Sequence, residues 1–262
     1  MECDHHRARR SPRGRCQRQE PGAEHGGYYA PVGQGSTAAA AGYAVYDRVV
    51  DEQEATRWLR TVRGEVVAAG REDEPSGVVV WMVAELPEAL RQLVMDPRLL
   101  SAAEDAAGGP VEFLSVKPVF KRHGAHAASP WHQDRPYWRG VAKWSLWLAL
   151  TDVQPDDGCL RVVPGSHLDG ERRHARVEEE SFGNRLPATA TPPEDSVVDV
   201  PLPPGSAVCF HDCLLHASRP KLTTGERWAL IPTYRRSDIV DPSTLWTATI
   251  RPDVEGAASA PS

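Results

Sequence analysis

The chain has 262 residues, 40% hydrophobic and 25% charged, which suits one globular domain with tails. A net charge of −6 leaves no basic footprint for nucleic acid. No apolar run approaches the ~20 residues of a membrane span, and no secretory hydrophobic region follows the basic N-terminus.

Residues 1 to about 40 mix Arg, Gly, Pro, Gln and Ser with no hydrophobic period, and read as a disordered leader. Their arginines suit a targeting peptide or a nucleic-acid arm, but the interspersed acids favour a plain leader. The fold is expected to begin with a short strand in GYAVYDRVV (42–50). DEQEATRWLRTV (51–62) then opens a helix, because Asp51 and Glu54 have capping-box spacing. Ala55, Trp58, Leu59, Val62 and Val66 fall on one helical face. A second helical stretch over 87–107 is broken at Asp96-Pro97 and stopped by Gly108-Gly109.

Past residue 110 the texture changes to short β-like runs at 111–120, 143–151, 159–163, 197–202, 206–210 and 227–235. QPDDG, VPGSH, LPPG and LTTGE separate them. Helices first and many short strands later predict a mainly β domain with flanking helices, an antiparallel sandwich or barrel over 41–250. Residues 251–262 read as a disordered tail.

His132 and Asp134 stand two apart in WHQDRPYW (131–138). In a strand, residues i and i+2 point the same way, so both can face a barrel interior. One more imidazole completes a two-His-one-carboxylate facial triad, with the other positions of an iron(II) ion left open. His211 and His216 are the candidates. His216 is favoured because Ser218 and Arg227 follow it at useful spacing. Arginine binds a carboxylate bidentately and keeps its charge, and a serine hydroxyl adds a hydrogen bond.

These pieces resemble the phytanoyl-CoA dioxygenase family of non-haem Fe(II)/2-oxoglutarate-dependent oxygenases. VKPVF (116–120), PWHQDRPYW (130–138), WLALTDVQPDDGCLRVVPGSH (147–167) and HASRP with GERW (216–228) carry the resemblance, in order, within about 111–235. It implies a double-stranded β-helix, the cupin-like jelly roll, with His132, Asp134 and His216 as iron ligands. Arg227 and Ser218 would hold the far carboxylate of 2-oxoglutarate. Trp147 would line the cosubstrate pocket, alternating with Lys143 and Ser145, and Lys117 would reach 2-oxoglutarate. The family's usual Gly-Asp before the distal-His strand is Gly205-Ser206 here. Its usual Asn is Lys221, expected at the substrate or in solvent.

The resemblance further implies a reaction: Fe(II), 2-oxoglutarate and O2 hydroxylate a substrate carbon, yielding succinate and CO2, or close a ring onto a neighbouring hydroxyl. Related halogenases carry a small residue where Asp134 stands, so oxygenation or ring closure is expected. The expected substrate is a small, polar natural product. Four lysines against twenty-six arginines suggest a GC-rich genome, and hence bacterial secondary metabolism such as antibiotic biosynthesis. Acetal- or orthoester-type ring formation on a glycoside is the runner-up. No nucleic-acid or membrane partner is expected, and the protein is read as a monomer or weak homodimer.

Other readings compete. A cupin-like binding protein keeps the fold without turnover. Cys209, His211 and Cys213 alternate and suggest a zinc site, set against ordinary buried thiols. Cys3, Cys16, Cys159, Cys209 and Cys213 are odd in number and lack framework spacing, which favours a reducing cytoplasm. Trp131, Tyr137 and Trp138 either wall a pocket or pack. His123, His126, Arg135 and Arg139 line its mouth or are solvated, and 177–180 reads as a solvated acidic face.

Overall fold

The computed structural model describes residues 36–124, 128–176, 184–243, 245–246 and 248–252. Residues 1–35, His126, the acidic run 177–180 and the tail from 253 lie outside the described residues. Helix α1 (Ser36–Ala41) falls at the end of the stretch expected to be disordered, with Ala38 buried in the core.

Strand β1 (Tyr43–Tyr46) leads into α2 (Glu52–Ala68), which starts at the expected cap. The Glu54 N–H donates to Asp51 Oδ1 at 2.7 Å, and the Asp51 N–H donates back to the Glu54 carboxylate at 3.4 Å. Such a cap contributes about 1 kcal/mol. Ala55, Trp58, Val62 and Val66 are buried beneath the helix, and Leu59 packs half-buried at their edge. Helices α3 (Glu88–Val94) and α4 (Pro97–Ala107) part at Asp96-Pro97, where the Asp96 carboxylate accepts the Arg98 N–H at 2.9 Å. Gly108 ends α4 at φ +70°, a left-handed conformation that favours glycine.

The remaining strands are β2 (Trp81–Met82), β3 (Val111–Arg122), β4 (Lys143–Ala149), β5 (Leu160–Val162), β6 (Ala175–Arg176), β7 (Asn184–Arg185), β8 (Val198–Val200), β9 (Ala207–His211), β10 (His216–Ser218) and β11 (Glu226–Arg236). They form an antiparallel six-stranded sheet, β1-β9-β4-β11-β3-β2, and an antiparallel three-stranded sheet, β10-β5-β8. Strands β6 and β7 pair with each other. The architecture is the expected jelly roll, mainly β with helices outside.

Strand alternation builds two cores. Leu146 and Leu148 of β4, Ala207 and Cys209 of β9, and Leu230 of β11 turn toward α2, α3 and α4. Their neighbours Trp147, Ala149, Val208, Phe210, Ala229 and Ile231 turn toward the small sheet and meet Leu160, Val162 and Val200. Full burial of each large apolar side chain stabilises the fold by roughly 1.5–3 kcal/mol. The β11–β3 register pairs Arg227 with Lys121, Ala229 with Val119, and Ile231 with Lys117. The period of two then sets Arg227, Lys121 and Lys117 on the inner face, between the sheets.

Candidate metal centre and cosubstrate pocket

His132 and Asp134 do not lie in a strand. His132 forms an isolated antiparallel bridge with His216, each N–H donating to the other's carbonyl at 3.0 Å. Asp134 follows in a helical conformation and opens a short 3-10 turn over Arg135–Tyr137. The i, i+2 alternation therefore does not orient the pair. The bridge instead sets His132 against His216, with the imidazole centroids 4.1 Å apart.

Both tautomers are fixed from behind. Nδ1 of His132 lies 2.7 Å from the Pro130 carbonyl, and Nδ1 of His216 lies 2.9 Å from that of Leu214. A carbonyl only accepts, so each Nδ1 carries the hydrogen and each Nε2 keeps its lone pair. Both Nε2 atoms lie 3.8 Å from Asp134 Oδ1. The other carboxylate oxygen accepts from the Ser145 hydroxyl at 3.1 Å and lies 3.6 Å from Lys117 Nζ. All three side chains are buried, and one ligand atom from each lies within 4.8 Å of the others.

Protonation matches. Burial holds both imidazoles well below the usual histidine range, and for His132 the neighbouring His216 adds to it. Burial alone would raise the Asp134 carboxyl, but Lys117 and the two imidazoles hold it below the carboxylate range. Two neutral imidazoles and one ionised carboxylate are what a divalent iron ion requires.

The other pole of the site is cationic. Arg227 is 2% exposed, and its Nη2 donates to the Gly158 carbonyl at 3.3 Å. Its Nε and Nη1 are buried with no hydrogen-bond partner among the described residues. The guanidinium lies 5.2 Å from the Trp147 ring centroid. Burial lowers its pKa only to about 10, so it stays charged at neutral pH. Gly158 sits at φ +84°, and a Cβ there would come 2.9 Å from the Arg219 carbonyl, so glycine is required for this carbonyl to reach Arg227.

Lys121 completes this pole and was missed from the sequence. Its Nζ donates to Ser218 Oγ at 2.7 Å and to the Arg219 carbonyl at 2.9 Å. Burial, and then the charge of Arg227, push it down to about 7. Ser218 Oγ also accepts the Ser129 N–H at 3.0 Å. A cavity of about 110 Å³ joins the two poles and is lined by the triad, Lys117, Lys121, Trp147, Ser218 and Arg227. The expected triad, Arg227, Ser218 and Trp147 thus share one cavity. Lys117 lies by Asp134 rather than at the arginine end. The signal for Lys121 was its place four residues after Lys117 on the same strand face, but its meaning depended on the register with β11.

Several other readings change. Lys143 leaves the site face: its Nζ pairs with Asp241 at 2.9 Å, both side chains buried. Lys221 is buried and pairs with Asp157 at 3.0 Å, so it is neither solvated nor at the triad. His211 accepts the Cys213 N–H at Nδ1 and clusters with Asp212 and Cys213, whereas Cys209 turns into the helix-facing core. The proposed Cys209–His211–Cys213 zinc set is therefore not assembled, and the three described cysteines are buried free thiols. Ser206 donates to Asp47 at 2.9 Å and accepts the Arg48 N–H at 3.0 Å.

Gln133, between the two ligands, is fully buried. Its Nε2 donates to the Gly170 carbonyl at 2.9 Å and the Cys213 carbonyl at 2.6 Å. Its Oε1 accepts the Arg172 N–H at 2.8 Å. It ties the His132–Asp134 loop to the turn that precedes His216.

The donor set fits iron and the cationic pole fits a dicarboxylate. Zinc would also accept the triad, but the unsatisfied buried N–H groups of Arg227 call for an anion at the far end.

A family model described as phytanoyl-CoA dioxygenase matches residues 39–229. The L-proline trans-4-hydroxylase of Streptomyces griseoviridis is 28% identical over 213 residues, covering 68% of this chain and 78% of that protein. A phytanoyl-CoA dioxygenase of rice is matched over only 40% of its own length. The non-heme alpha ketoglutarate dependent carbocyclase SnoK from nogalamycin biosynthesis superposes with a TM-score of 0.63 at 25% identity, over 87% of this chain and 92% of that one. The epimerase SnoN in complex with Fe3+, alpha ketoglutarate and nogalamycin RO shares the fold at 22% identity, with a TM-score of 0.62, over 78% of this chain and 82% of that one.

Proposed function

The chain is a member of the phytanoyl-CoA dioxygenase family, an Fe(II)- and 2-oxoglutarate-dependent oxygenase, and we propose that it hydroxylates a small natural product bearing polar groups. One observation carries this reading: a buried His132–Asp134–His216 cluster and a buried Arg227–Lys121 pair share one cavity of about 110 Å³. A metal-binding scaffold has no use for the second pole. A keto-diacid that chelates metal through one end and extends a carboxylate from the other requires it.

His132, Asp134 and His216 would hold Fe(II). When bound, Fe(II) with 2-oxoglutarate and dioxygen supplies the oxidising power that turns a substrate C–H into C–OH, with release of succinate and CO2. The protein's own groups do the placing. Arg227 offers Nε and Nη1 to the far carboxylate, and the Trp147 ring beside the guanidinium restricts its plane. Lys121 adds a second cation, and Ser218 is held between it and Ser129. Val78, Val119, Phe120, Leu160, Phe210 and Ile231 supply apolar wall, whose low polarity strengthens each charge interaction inside.

A second outcome, ring closure, is favoured by the similarity to SnoK, a carbocyclase. That likeness also supports a role in antibiotic biosynthesis. No helix among the described residues is long and apolar enough to cross a membrane. The free thiols suit a reducing cytoplasm, and we take the protein to act as a monomer or weak homodimer.

The test is succinate formation from 2-oxoglutarate under air with added Fe(II). An oxygenase produces it, and a binding scaffold or a zinc hydrolase produces none.

A further inference from the structure

The cavity holds more positive charge than the metal and cosubstrate can balance. Among the described residues its charged lining is three cations, Lys117, Lys121 and Arg227, against one anion, Asp134. Fe(II) and the 2-oxoglutarate dianion cancel each other, so the surplus survives loading. It is two charges with Lys121 protonated and one with Lys121 neutral. An uncompensated charge in a buried site is costly.

Position shows which cation is left over. Lys121 stands opposite Arg227 across the β11–β3 ladder, and the two together would face the cosubstrate's far carboxylate. Lys117 stands opposite Ile231, four residues before Lys121 on the same strand face, at the metal end. Its Nζ lies 3.6 Å from Asp134 Oδ2 and 5.1 Å from the Trp138 ring centroid, and its side chain is 17% exposed. Once Asp134 serves a metal ion, Lys117 must share that carboxylate's charge or meet another anion.

Trp138 provides a firm neighbour. It is buried, its indole N–H donates to Asp212 at 3.0 Å, and its ring packs against Trp246. It also borders a more open cavity of about 680 Å³, together with Tyr137, Arg139, Pro242 and Leu245. Pro242 and Leu245 lie beyond the family match, which ends at residue 229.

We propose that Lys117 is a substrate-binding residue: the substrate carries an anionic oxygen group, a carboxylate or a phosphonate, that pairs with Lys117 beside the metal while its body lies against Trp138. This rests on the oxygenase reading and adds the substrate's charge class to it.

The experiment uses full-length protein loaded anaerobically with Fe(II) and saturating 2-oxoglutarate. Benzoate, phenylphosphonate and the neutral benzamide are titrated in, and the visible charge-transfer band of the chelate reports binding near the metal. At least one anion should perturb the band at a tenfold lower concentration than benzamide does, and the tighter of the two identifies the group. Lys117→Met should bring anion and amide within about threefold, and Lys117→Arg should restore the preference. Equal binding of benzamide, no perturbation by either anion, bleaching of the band through displacement of the cosubstrate, or a preference that survives in Lys117→Met each overturns the proposal. A wild-type protein that never forms the band overturns the oxygenase reading instead, before any probe is added.

Discussion

Arg227 and Lys121 stand directly opposite each other across the β11–β3 ladder, two cations facing the same buried cavity. Like charges so placed destabilise a sheet, and burial adds to the cost. The arrangement makes sense as a receptor for a dianion, whose negative charge offsets the repulsion between the two.

Arg227→Gln should raise the cosubstrate requirement with the iron site intact. Loss of hydrogen bonds to a charged group costs about 2–3 kcal/mol, roughly 30- to 150-fold in the KM for 2-oxoglutarate. Steady-state kinetics with succinate as the readout checks it. A wild-type KM in this variant would remove Arg227 from the cosubstrate site.

Cosubstrate affinity should fall as pH rises through about 7. Lys121 is pushed down to about 7 in the empty site, so above that pH it is increasingly neutral and must take up a proton to meet the dianion. The sign is fixed: the protonated form binds better, so the dissociation constant rises with pH, by up to about tenfold per unit. His132, His216 and Asp134 are all shifted downward, away from this window. Dissociation constants measured at pH 6.5 and 8.5 should differ in the wild type and converge in Lys121→Met.

Gln133→Met should weaken iron binding without unfolding the protein. The substitution keeps volume but removes three hydrogen bonds that join the His132–Asp134 loop to Arg172, Gly170 and Cys213. Losses of supporting contacts of this kind typically cost about 10- to 100-fold in metal affinity. Competitive chelator titration measures it, and an unchanged affinity would make the clamp irrelevant to the ligands.

Asp241→Ala should destabilise the fold by about 3–5 kcal/mol, because it strands a buried lysine. Lys143 and Asp241 are 0% and 1% exposed in their side chains, and Arg235 also donates to Asp241, at 2.8 Å. Denaturant unfolding gives the number. The pair Lys143→Met with Asp241→Leu should recover much of the loss, since two apolar side chains leave no charge behind.

Local signals in the sequence were dependable where the chemistry is local. The Asp51–Glu54 box, the break at Pro97 and the stop at Gly108 each depend on neighbours a few residues apart, and the structure forms all three. The long strands were legible because alternate residues enter two different cores. What could not be read was whatever register decides. His132 and His216 meet through a single bridge between segments 84 residues apart in sequence, so no period in either segment announces it. Strand β10 has only three residues and pairs with β5, too short to carry a pattern. Lys117 and Lys121 both lie on the inner face of β3, and only the pairing with β11 tells which of them joins Arg227. Lys143 and Lys221 were readable as charges, but their partners Asp241 and Asp157 come from distant loops.

The central claim is that His132, Asp134 and His216 form one ferrous site facing a cosubstrate held by Arg227. Anaerobic titration of Fe(II) into the 2-oxoglutarate-saturated protein tests it most directly. The wild type should take up one equivalent with growth of the visible charge-transfer band, and His216→Ala should bind none and stay colourless. Uptake without the band in the wild type, or an equal band in His216→Ala, would contradict the account.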